Sequence, residues 1–382
     1  MKKFVIPVFC FLMATLLTSS YGMCAEKLQR KIKIGFIPIN VMTVPYADYI
    51  GAWKDEGLDV EVLKFQGGPA LVEALMAGGL DAADIGYVPM IYAATRGIPL
   101  YYLASDGIMT KDYPMFPITV RPDSKMKSFK DLKGKTIAIH QKGTMEDAWL
   151  SAACEKYGMN KSDIKITFVP FPQQGGVLAH KQVDAAFPHP PFDALQEINK
   201  QGKVLFDLSE VMQYTEISGL AVTRKFANEH PDLTQKLVKG YIKAGRWVND
   251  NQKLARQKVL TDKRYIGLQP NVVDLVHMPY WPRNGFHLMP SVWNIYNLMV
   301  KTNMISPWDK PETKMEEYWI EPTMKFTLPA VKELGIDEDP YIYKTLRIPL
   351  PYLEKKPENY FAPWEKEDAG LTKRGTEKSK PR

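Results

Sequence analysis

Gln66-Gly67-Gly68-Pro69-Ala70-Leu71-Val72-Glu73-Ala74-Leu75-Met76-Ala77, closed by Gly78-Gly79 and followed by Leu80-Asp81-Ala82-Ala83-Asp84-Ile85-Gly86, is the stretch that decides the fold. Proline in the first turn, Leu71 and Leu75 one turn apart and a glycine pair as the stop describe a short helix. Asp59-Val60-Glu61-Val62-Leu63 before it reads as a strand. Further upstream, Lys31-Ile32-Lys33-Ile34-Gly35-Phe36-Ile37 alternates like a strand and stops at Pro38. A loop from Ile39 to Pro45 leads into helical spacing from Tyr46 to Trp53, ended by Glu56-Gly57. Strand, loop, helix and strand in this order form a βαβ unit.

The same device returns downstream. Gln174-Gly175-Gly176 precedes a short helix, Val177 to His180, and then Val183-Asp184-Ala185-Ala186-Phe187. Between the copies, Thr136-Ile137-Ala138-Ile139 reads as a strand, Gln141-Lys142-Gly143-Thr144 as a loop and Met145 to Tyr157 as a helix. Ile164 to Val169 is its partner strand. Two α/β lobes are therefore expected, with the second (120–222) inserted into the first (31–119 plus 223–345). Tandem domains would leave the first sheet short of covering helices. Pro117-Ile118-Thr119-Val120-Arg121 and Leu220-Ala221-Val222-Thr223-Arg224 are the expected crossings between lobes and form a candidate hinge.

Composition agrees with an ordinary folded chain: of 382 residues, 45% are hydrophobic and 24% charged, which excludes a mostly disordered chain, a collagen-like repeat and a polytopic membrane protein. The formal charge of +7 is too dispersed to indicate nucleic acid. Met1-Lys2-Lys3, the apolar run Phe4 to Leu17 and the small or polar residues after it have the anatomy of a secretory signal, assigned to 1–25. A periplasmic location follows from it. Tyr21 and Met23 argue against a lipid anchor on Cys24. Removal of the segment leaves Cys154 as the single thiol, set at helical spacing with Leu150, Ala153 and Tyr157 and read as structural. From about Pro349 the chain is rich in proline and charge, so 349–382 is expected to be a partly flexible C-terminal extension.

Signatures of catalysis are missing. The sequence has no phosphate loop, HExxH, GxSxG or GxGxxG, and its six histidines lack metal-ligand spacing. No catalytic residue, metal or cofactor is assigned. What recurs is glycine where a helix is expected to start: Gly67-Gly68, Lys142-Gly143-Thr144 and Gly175-Gly176. Unpaired N–H groups at such ends suit a carboxylate, sulfonate or nitrate. Any one pair can equally be a tight turn, but three at equivalent places in two lobes point to a cleft.

The ordered series from Gln66 to Gly86, Asp131-Leu132-Lys133-Gly134-Lys135-Thr136-Ile137-Ala138 and Gln182-Val183-Asp184-Ala185-Ala186 resembles the periplasmic substrate-binding proteins of ABC importers in the nitrate, sulfonate and taurine group (SsuA/THI5-like and NMT1-like). The resemblance runs from about Lys31 to about Pro307 and implies a type II two-lobed clamshell. It also implies a small-molecule ligand, delivery to an ABC permease with a separate ATPase, a monomer and no covalent chemistry. By position, the ligand-binding residues it implies are Asn40, Met42, Gln66, Gly67, Gly68, Tyr87 and Val88 from one lobe. The other lobe would supply Lys142, Gly143, Thr144, Gln173, Gln174 and His189. His189-Pro190 stands where many relatives carry Trp-Glu, so a small organic anion is the expected ligand, with Lys142 helping to grip it. A pyrimidine or other aromatic heterocycle is the alternative, since Tyr87, Phe171, Phe187 and His189 could wall a ring. Pyrimidine-synthesising relatives carry a cysteine cluster that is missing here.

Overall fold

A computed structural model describes residues 31–212 and 214–345 of the chain. The expected signal segment and the expected C-terminal extension lie outside the described residues. The chain first lays down β1 (Ile32–Phe36), α1 (Val44–Tyr49), β2 (Val60–Lys64), α2 (Gly68–Met76), β3 (Ala82–Gly86), α3 (Tyr87–Thr95), β4 (Leu100–Ser105) and the short β5 (Ile108–Met109). A second unit follows: β6 (Pro117–Val120), β7 (Thr136–Ile139), α4 (Met145–Lys156), β8 (Lys165–Phe168), α5 (Phe171–Ala179), β9 (Ala185–Ala186), α6 (Phe192–Ile198) and β10 (Lys203–Asp207). The chain returns through β11 (Thr215–Glu216) and β12 (Ser218–Thr223) to α7 (Arg224–Glu229) and α8 (Pro231–Asp250).

Two five-stranded sheets result, in the orders β2-β1-β3-β12-β4 and β8-β7-β9-β6-β10. In each, three parallel strands are followed by an antiparallel pair of neighbours. The sequence repeat has a physical counterpart here. Asp81 Oδ2 accepts from Lys33 N at 3.0 Å, and Asp184 Oδ2 accepts from Thr136 N at 2.9 Å. Each aspartate thus pins the start of the strand beside it, and the two alanines that follow leave room for close helix packing on the sheet.

The crossings differ from the sequence expectation. Pro117–Val120 is a strand of the second sheet, bonded to β9 and β10, while Ser218–Thr223 lies inside the first, between β3 and β4. The pair at the crossing is β5 with β11, Met109 opposite Thr215 and Ile108 opposite Glu216. Leu220, Ala221 and Val222 are fully buried, which suits a strand covered on both faces rather than an exposed connection. A second correction concerns Gly175 and Gly176. The α5 helix starts at Phe171, with a proline in its first turn, so both glycines fall inside it. A Cβ on Gly175 would meet Gln201 Oε1 at 2.4 Å and Gln196 Cγ at 2.9 Å, so this glycine permits close packing within the lobe.

Helices after the return cover the first sheet. Trp53 Nε1 donates to Leu237 O on α8 at 3.0 Å, and Gly240 lies against the indole. In the segment His277 to Gly285, Trp281 is buried and donates to Thr43 Oγ1 at 2.9 Å, while Arg283 pairs with Asp250 and Asp337. This segment is a structural connection. Among the described residues no helix is long and apolar enough to cross a membrane.

Candidate functional site

The carboxyl ends of the parallel strands from both sheets converge on one cavity of about 40 Å³. Open α/β sheets present their ligand seats at this edge because the chain leaves each strand there in a loop. Ile37 and Ile39 follow β1, Gly86 ends β3, and Gly67-Gly68 open α2. From the second unit, His140 follows β7, Thr144, Met145 and Glu146 open α4, Phe171 opens α5 and His189 follows β9. Phe116 and Ile217 complete the wall close to the crossing. The space suffices for roughly three waters. An organic solute of more than a few heavy atoms does not fit in this space.

Two histidines set the polar geometry. His140 Nε2 lies 2.7 Å from the carbonyl oxygen of Gln66, a bond between the two units. Its ring stacks on Phe171 with centroids 4.2 Å apart. His189 is 2% exposed, its Nδ1 is 3.0 Å from Pro190 O, and its Nε2 has no hydrogen-bond partner. Burial, with a smaller contribution from His140, pushes its pKa down to about 4, so the ring is neutral at physiological pH. Glu146 is 4% exposed; burial raises its pKa above the usual range, opposed by His140 and Thr144.

Of the residues expected at the site, Met42, Gly67, Gly68, Thr144 and His189 line this cavity. The others do not. Asn40 is buried behind it, with its amide nitrogen bonded to His277 O. Tyr87 is fully buried and shares a hydrogen bond with His287 Nδ1, and Val88 is buried within α3. Gln66 is exposed and contributes its carbonyl oxygen. Lys142 is exposed. Gly143, at φ +76°, adopts the left-handed region, and its N–H is occupied by Asp147 Oδ2 at 3.1 Å. Gln173 is exposed on α5, and Gln174 is buried with its amide on Val169 O. The anion seat expected at Lys142-Gly143-Thr144 is thus capped by the chain itself, and the one expected at Gly175-Gly176 is interior to a helix.

Sequence reasoning missed His140, Glu146, Phe116 and Ile217. His140 follows Ile139 at a strand end, so the strand-end rule could have found it. Glu146 sits two residues beyond the expected loop. Phe116 and Ile217 carry no local signal, being far apart in sequence and brought together by the crossing. Among the described residues no group of three or more His, Cys, Asp or Glu is placed to hold a metal ion. Cys154 is buried, and burial pushes its thiol up to about 11, which suits a structural role. Apolar walls with a few converging polar groups are suited to holding a small molecule.

Known proteins resemble this chain in sequence and in fold. The model of the NMT1-like family matches residues 25–261. A putative aliphatic sulfonates-binding protein of Bacillus subtilis (strain 168) is 29% identical over 203 residues, covering 52% of this chain and 59% of the relative. The taurine-binding periplasmic protein of Escherichia coli (strain K12) is 26% identical over 195 residues, covering 50% of this chain and 58% of the relative. The chain thus spans less than two thirds of the length of these curated relatives. Among solved structures, the periplasmic nitrate-binding protein NrtA from Synechocystis PCC 6803 superposes with a TM-score of 0.70 at 16% identity, covering 81% of this chain and 90% of that one. That likeness shows the fold, a two-lobed α/β periplasmic-binding-protein architecture.

Proposed function

The chain belongs to the NMT1-like family, and on that premise we propose that it is an extracytoplasmic solute-binding protein of an ABC importer. It captures a small organic molecule between two lobes and delivers it, as a monomer and chemically unchanged, to a permease energised by a separate ATPase. The observation that carries this reading is the cavity walled by strand ends of both sheets and bridged by His140 and Gln66. The lobes divide at the β5–β11 pair, and motion about that pair opens and closes the cleft. Met1 to Ala25, with the pattern of a secretory signal, supports work outside the cytoplasmic membrane.

A sulfonate, nitrate or carboxylate ligand takes its support from the names of relatives. An aromatic or heterocyclic ligand takes its support from the rings of Phe116, His140 and Phe171 in the wall. The cavity favours the second, because Lys142, the side chain expected to grip an anion, is exposed and does not line it. Native mass spectrometry of the protein purified from its own host, with small-angle scattering before and after removal of the retained molecule, tests the capture of a solute. A retained small molecule of unchanged mass and a more compact loaded form are expected. Identical scattering profiles with and without every solute tried would refute it.

A further inference from the structure

The hydrogen bonds of the two histidines fix which way the cavity is polarised. A carbonyl oxygen can only accept, so His189 Nδ1, 3.0 Å from Pro190 O, carries the proton. The buried Nε2, without a partner, is then a lone pair. By the same reasoning His140 Nε2 donates to Gln66 O, which leaves its buried Nδ1 without a hydrogen-bond partner. The third polar residue of the wall is Glu146, whose carboxyl group is buried. Among the described residues Glu146 makes no ion pair, whereas neighbouring Asp147 is held by Lys161 and by Gly143 N. No lysine or arginine lines the cavity, and the Thr144 hydroxyl donates to Gln141 O at 2.9 Å.

The side chains therefore bring acceptors and one carboxyl group, with no lysine or arginine to balance it. We propose that Glu146, with the unpartnered ring nitrogens His140 Nδ1 and His189 Nε2, selects a solute bearing a cationic nitrogen group with N–H donors, of the amine or amidine type. This inference rests on the solute-capture reading and deepens it. The nitrogen group satisfies buried acceptors that would otherwise stay unpaired once the lobes close and exclude water. Backbone N–H groups at the start of α2 leave a seat for an acceptor elsewhere on the ligand. A ligand whose only polar group is a sulfonate or carboxylate is disfavoured, because it brings no N–H donor to these acceptors.

The test is calorimetric titration of the full chain with benzylamine and benzamidine against benzoate and benzenesulfonate. The cationic pair is expected to bind at least about tenfold more tightly, and Glu146→Gln to weaken it by about 10- to 100-fold with no loss of thermal stability. Glu146→Asp should keep part of the preference. Equal or tighter binding of the anions, no saturable binding of either cation, or an unaltered cation affinity in Glu146→Gln overturns the inference. Anion binding accompanied by compaction in small-angle scattering would overturn it while leaving solute capture standing. No compaction with any of the four compounds or with a low-molecular-weight extract of the host would remove both.

Discussion

His140 reaches across the cleft to the main chain of Gln66, its Nε2 donating to the carbonyl oxygen over 2.7 Å. One partner follows β7 in the second unit and the other precedes α2 in the first, so the bond exists only while the two sheets stand close. Because the acceptor is backbone, its strength depends on His140 and not on the side chain of Gln66. The stack of the same imidazole on Phe171 holds the ring in the donating orientation.

His140→Phe keeps the stack and loses the cross-cleft bond. A net hydrogen bond contributes about 0.5–1.5 kcal/mol, so apparent ligand affinity should fall about 2- to 10-fold. Small-angle scattering should show a larger average radius for the variant. His140→Ala, which loses the stack as well, should fall further in both measurements.

The glycines at the start of α2 should separate closure from stability. A Cβ on Gly68 would come within 2.5 Å of Cγ and 2.8 Å of Cβ of Pro89, a rigid ring. Gly68→Ala is therefore expected to cost about 1–3 kcal/mol in denaturant unfolding. A Cβ on Gly67 would instead meet the mobile end of Gln141 at 2.7 Å and His140 Nε2 at 3.3 Å, both across the cleft. Gly67→Ala should weaken ligand binding while its unfolding midpoint stays near that of the parent.

His189 should make the protein sensitive to acid. Its pKa is about 4 in the fold and near 6.5 when unfolded, so between these values the unfolded chain binds more protons. Stability from this group rises with pH through that window and is lost on acidification, by up to about 3 kcal/mol. His189→Gln should shrink the difference in unfolding free energy between pH 7 and pH 4. An unchanged difference would show that the ring titrates in the fold as it does in the unfolded chain.

Asp193 should act with the opposite sign. It is 6% exposed, its Oδ1 lacks a partner, and burial pushes its pKa up to about 7. Here the folded chain binds more protons between about 4 and 7, so stability falls as pH rises through that range. Asp193→Asn, neutral throughout, should be more stable than the parent at pH 8 by up to about 4 kcal/mol and equal to it near pH 4. Paired denaturant titrations at the two pH values check this.

Local pattern in the sequence was enough for the βαβ grammar, the doubled helix-strand device and the expectation of a cavity at the strand ends. Met42, Gly67, Gly68, Thr144 and His189, which line that cavity, were reachable that way because each lies within a few residues of a strand end or helix start. Local pattern misled at Gly175-Gly176, where a glycine pair resembled a helix start although the proline-led turn at Phe171 had already begun the helix. It also misled at Lys142, whose charge is visible in the sequence but whose side chain points to solvent.

What the chain determined by itself is periodicity, because burial on one face of a helix or both faces of a strand leaves its mark on neighbouring residues. Tertiary structure alone decided that Ser218–Thr223 enters the first sheet between β3 and β4. It alone brought Phe116 and Ile217 to one cavity wall and set Glu146 in a cavity with no lysine or arginine. These depend on contacts between residues tens to hundreds of positions apart, and the polarity of the site is a sum over such contacts that no single stretch of sequence contains.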